Sequence, residues 1–151
     1  MKNLYSGFNY SFRLTLVIIT YALLLQGCAS VNKNEKNNEL MNIKASSLIK
    51  LSQAVETTVS IDMPDESMSD EEIFKISTED DPSLLGPFAG YLLKINREGG
   101  HAVILMCNAD GSIGLLEDAG CTAKMDEHLW QKKNSCQFTI SVAVLCNLPD
   151  L

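Results

Sequence analysis

Basic residues are scarce in this chain. Its 12 lysines and arginines stand against 19 aspartates and glutamates, giving a net charge of −7 at pH 7. Such a surface repels polyanions and anionic headgroups, which counts against DNA and RNA as partners. Histidine is scarcer still, with only His101 and His128. The chain has no Gly-x-Ser-x-Gly elbow, no phosphate loop and no dinucleotide fingerprint. It has no Cys-x-x-Cys spacing, so a thiolate zinc site has no local signature. No catalytic constellation and no cofactor is expected from these absences, and no internal repeat is visible.

The one long apolar run lies near the N-terminus. Leu14 to Leu25 is interrupted only by Thr15 and Thr20, behind Lys2 and Arg13. It suits a signal-peptide core and is short for a membrane span of ~20 residues. It ends in Leu23-Leu24-Leu25-Gln26-Gly27-Cys28-Ala29-Ser30, after which the composition turns polar at once. That junction resembles the lipobox of bacterial lipoprotein precursors. The resemblance implies that Cys28 is lipidated and becomes the mature N-terminus, with 1–27 removed. Three acyl chains at ~0.8 kcal/mol per buried CH₂ would hold it in a membrane almost irreversibly. Ala29, rather than aspartate, after the cysteine implies the outer membrane, with the body facing the periplasm. An uncleaved anchor is the alternative, and it too leaves the body outside the cytoplasm.

Residues 28–39 follow as the lipidated cysteine and a tether. Within it, Ser30 to Glu39 is rich in Asn and nearly free of apolar groups, so burial cannot offset the entropy of ordering it. Residues 40–151 are expected to form one small domain. In it, Met41, Ala45, Leu48, Leu51, Val55 and Val59 recur at helical spacing. Residues 62–81 then concentrate Asp62, Asp65, Glu66, Asp70, Glu71, Glu72, Glu79, Asp80 and Asp81 against Lys75 alone. Ser69 and Glu72 form a capping box that predicts a helix over 70–77, with Asp70, Glu71 and Glu72 favourably placed at the positive end of its dipole. The segment reads as a solvated face. A cation site or a dock for a basic partner is the sharper alternative, although the calcium-loop pattern is missing.

From Tyr91 the period becomes two. A first strand carries Tyr91, Leu93 and Ile95, and Arg97-Glu98-Gly99-Gly100 turns the chain. His101 to Cys107 is apolar on both faces and therefore central. Asn108-Ala109-Asp110-Gly111 is a second turn, and Ser112 to Glu117 a third strand. Met125 to Gln131 suggests a short helix in a crossover. Cys136 to Cys146 alternates regularly and predicts a fourth strand. The expected class is α+β: one or two N-terminal helices packed on a four-stranded, mainly antiparallel sheet.

Cys107, Cys121, Cys136 and Cys146 cluster behind the export signal, which points to two disulfides. A single strand over 136–146 would be roughly 33 Å long at ~3.3 Å per residue, whereas bonded Cα atoms lie within about 7 Å. Cys136–Cys146 is thereby excluded. Following the meander up and down its strands predicts Cys121–Cys136 and Cys107–Cys146, the second requiring the sheet to curl.

The leading functional expectation is a lipid-anchored, non-catalytic accessory or assembly factor that binds another envelope protein. Trp130, Asp65, Glu66, Asp80 and Asp81 are candidate interaction residues, although core closure is the favoured reading of Trp130. One alternative is a small hydrolase using His128 with Asp126 or Glu127. The other is a cation- or ligand-binding module using 62–81.

Overall fold

The computed structural model describes residues 33–122, 125–126, 129–142 and 146. Residues 1–27 (expected to be a signal segment), Cys28, Glu127 and His128 lie outside the described residues. The chain divides into two compact units, Met1–Asn38 and Glu39–Leu151. The sheet and the layers that cover it belong to the second.

Helix α1 spans Lys33–Thr57. It begins inside the stretch expected to be a tether, but residues 35–40 are exposed all round. From Met41 onward one stripe is buried: Met41, Ala45, Leu48, Leu51, Val55 and Val59. Leu48, Leu51 and Val55 are fully inaccessible, each contributing ~1.5–3 kcal/mol by leaving water. The helix widens into a π-helical turn, Thr58–Asp62, and stops at Met63 in the left-handed region (φ 46°).

Helix α2, Asp70–Ser77, has the expected bounds. The Ser69 hydroxyl accepts from Glu72 N–H, and the Glu72 carboxylate accepts from Ser69 N–H at 2.9 Å. The bonds from Ser69 hold the Glu72 carboxyl below the usual carboxylate range. Ile73 and Phe74 are its buried residues. A 3₁₀ segment, Pro82–Phe88, follows, with the Asp81 carboxylate accepting from Ser83 N–H at its start.

Four antiparallel strands form the sheet in the order β1-β2-β3-β4: β1 Leu92–Glu98, β2 His101–Cys107, β3 Gly114–Ala119 and β4 Met125–Asp126. Glu98 pairs with His101 across Gly99 and Gly100, at φ 62° and 83°. A two-residue hairpin of this kind needs positive φ twice, which glycine adopts freely. In the second turn the Asn108 side chain accepts from Ile113 N–H at 2.9 Å. Strand β2 is central and buried on both faces, as its composition predicts. Ala102, Ile104 and Met106 pack with the α1 stripe, Ile73 and Phe74. Val103, Leu105 and Cys107 pack on the other side, against Leu129, Cys136 and Val142.

The layer on that second face corrects the expected fourth strand. Residues 136–141 are irregular, and β4 is instead the two-residue Met125–Asp126. A short helix, α3, spans Leu129–Lys132, later than the expected 125–131. The alternation of 136–142 reflects an arm lying flat on the sheet, with N–H groups bonded to a side chain rather than to a strand. Thr139 N–H, Thr139 hydroxyl and Ile140 N–H all donate to the fully buried Glu117 carboxylate, at 2.5–3.1 Å.

The disulfide pairing is corrected with it. The bonds are Cys107–Cys136 and Cys121–Cys146, with Cα separations of 5.7 and 5.8 Å. The arm enters beside the Cys107 end of β2, where Ile113 bridges Ser135. It then runs towards the Val103 end, where Ala119 and Cys121 lie. This direction is opposite to the one that the meander predicts.

Candidate functional site

A large groove lies between α2 and strand β1, with a volume of about 1230 Å³. Its apolar lining includes Met68, Phe74, Leu85 and Leu93, with Ile76 and Leu92 standing 42% and 39% exposed at its rim. Asp70, Glu71, Glu72 and Glu79 flank it, against Lys75 and Lys94. The apolar residues come from α2, the start of β1 and the segments before and after α2, which supply Met68 and Leu85.

Two contacts fix the groove walls. The Asp70 carboxylate accepts from Ile95 N–H at 3.0 Å, satisfying an outward donor of the edge strand that would otherwise invite pairing. The Arg97 guanidinium donates to four carbonyls, those of Pro64, Asp65, Glu66 and Met68, at 2.9–3.2 Å. The acidic loop is thus held by its backbone, which leaves its carboxylates outward. Asp65, Glu66, Asp80 and Asp81 are all exposed. Asp65 accepts from the Ser67 hydroxyl and N–H, and these bonds hold its carboxyl below the usual range.

Trp130 is partly buried and packs against the main core, beside fully buried Leu129. Asp126 pairs with Lys132 Nζ at 2.5 Å; Glu127 and His128, the other members of the expected hydrolase trio, are not among the described residues. Lys44 is buried on the α1 stripe. Its ammonium donates to Pro87 O at 2.5 Å and sits 4.3 Å over the Tyr91 ring, a cation–π contact. Burial lowers its pKa.

A second polar cluster lies where α1 passes the end of β3, and sequence reasoning missed it. The Glu56 carboxylate accepts from Ala102 N–H at 2.8 Å and lies 2.6 Å from His101 Nδ1. Nearby, the Ser52 hydroxyl donates to the buried Asp118 carboxylate. Gly120 makes the approach feasible. A Cβ there would collide with Ser52 O and Glu56 Cβ. These pairings span 45 or more residues, and no local spacing announces them.

No protein-family model matches this sequence, and neither the curated proteins nor the solved structures contain a match.

Proposed function

We propose that this protein is a lipid-anchored, periplasm-facing envelope lipoprotein whose domain is a non-catalytic binding module for another envelope protein. The anchor rests on the lipobox-like run ending at Cys28. The observation that carries the binding role is the groove between α2 and β1, apolar within and acidic at its flanks. Its chemistry suits an extended partner segment with apolar side chains bracketed by lysine or arginine. The apolar contacts would supply affinity, and the carboxylates would supply orientation and on-rate.

The test is site-specific photo-crosslinking in intact cells from position 75 on the groove rim, with position 43 on the exposed side of α1 as control. The expected result is one dominant adduct from position 75, mapped to an apolar segment with basic flanks. Ile76→Glu and Leu92→Glu should abolish it without unfolding the domain. Free monomer at both positions would overturn the binding role. Mass spectrometry of the N-terminus tests the anchor separately: acyl chains on Cys28 are expected, lost in Cys28→Ser. An unmodified peptide covering 1–28 in the mature protein would sink that part of the reading.

A further inference from the structure

We infer that Cys121, Cys146 and His101 form a redox-gated site for a soft divalent metal ion of the zinc type, with Glu56 orienting the histidine. A ring nitrogen of His101 and the two sulfurs all lie within 4.8 Å of one another, and all three residues are half-buried. Zinc takes cysteine sulfur at ~2.3 Å and histidine nitrogen at ~2.0–2.1 Å, so once the S–S bond is broken the two sulfurs must part to span one ion, with the histidine already beside them. Metal-binding histidines almost always give their other ring N–H to a carboxylate, a carbonyl or water. Glu56 already occupies that position, 2.6 Å from Nδ1, and is itself anchored by Ala102 N–H. Nε2 is the ring's other coordinating nitrogen. A cavity of about 350 Å³, lined by Gln53, Asp118, Gly120 and Cys121, opens beside the cluster and gives an ion or a reductant access.

In the oxidised protein the Cys121–Cys146 bond withholds both sulfurs. A dithiol reductant transfers two electrons and two protons to it. The S–S bond breaks, two thiols form, and the reductant leaves as a disulfide. The metal ion then displaces both thiol protons and takes two thiolates and one imidazole, leaving a fourth position for water. The other disulfide does not share this chemistry. Cys107 is fully buried and Cys136 is 7% exposed, so the reductant meets Cys121–Cys146 first.

The full-length protein in detergent is reduced with a limiting phosphine, desalted without oxygen and titrated with Co²⁺ alone. Alkylation mapping confirms which thiols were freed. The expected result is one Co²⁺ per chain, marked by thiolate-to-cobalt absorption and displaced by Zn²⁺, with no binding by the oxidised protein. His101→Ala keeps both cysteines and should weaken binding at least tenfold. Glu56→Gln should weaken it about 10–100-fold. A reduced, folded protein without the cobalt band, equal binding by His101→Ala, or binding by the oxidised protein would each overturn the site. So would loss of the far-ultraviolet dichroism on reduction that Zn²⁺ fails to restore.

Discussion

The carboxylate of Glu117 is fully buried and receives both the backbone N–H and the hydroxyl of Thr139. One side chain of β3 thus does for the C-terminal arm what a neighbouring strand does in a sheet. Glu117→Gln keeps the volume but turns an NH₂ group towards donors. The variant should lose about 1–3 kcal/mol in chemical denaturation. An unchanged midpoint would mean that the arm is held by its disulfides alone.

Asp118, the next residue, points to the opposite face and carries a pH dependence. Burial raises its pKa above the ordinary 3.8, and the bond from Ser52 offsets this only in part. An acid with a raised native pKa holds its proton more tightly folded than unfolded. Stability therefore falls as pH climbs from the ordinary value through the raised one, and the full cost is present above it. Asp118→Asn keeps an acceptor for Ser52 and has no proton to lose. Its melting temperature at about pH 7 should equal or exceed that of the natural chain. Scans from about pH 4 upward should show a shallower decline.

The disulfides predict a simple peptide map. Non-reducing digestion should yield linked Cys107–Cys136 and Cys121–Cys146 peptides and neither alternative pairing. Replacing Cys107 and Cys136 together with alanine should cost about 3–4 kcal/mol, since the two cysteines are 29 residues apart in sequence.

The acidic loop should tolerate neutralisation. Asp65, Glu66, Glu79 and Asp80 are exposed, and Arg97 grips the 64–68 segment through its carbonyls. Changing all four to amides should move the melting temperature little, while any basic partner should lose affinity and salt dependence. Arg97→Ala is the contrasting variant. It frees four carbonyls at once and should make residues 63–68 a site of limited proteolysis.

Much of this architecture is legible locally. The α1 stripe from Met41 to Val59, the Ser69 capping box, the Gly99-Gly100 hairpin and the two-faced β2 all follow from period and turn chemistry. The C-terminal third is not, because alternation from Cys136 onward has the same period whether the N–H groups meet a strand or the Glu117 side chain. Reading that arm as a strand reverses its direction, and the cysteine pairing changes with it. The groove can be inferred only in part: its acidic flank is visible in 62–81, but its apolar lining needs α2 and β1 to be neighbours. The Glu56–His101 contact has no sequence signal, since it depends on a missing side chain at Gly120.

The sheet is covered on one face by helices and on the other by Leu129 of α3 and a largely irregular arm, whose fastenings include two covalent bonds and one carboxylate. The first cover can assemble anywhere, because helices carry their own hydrogen bonds. The second gains part of its stability only when sulfur has been oxidised. With both bonds reduced, the arm would cover Val103, Leu105 and Ala119 less securely. Completion of the fold would then report the oxidation state of the chain's surroundings.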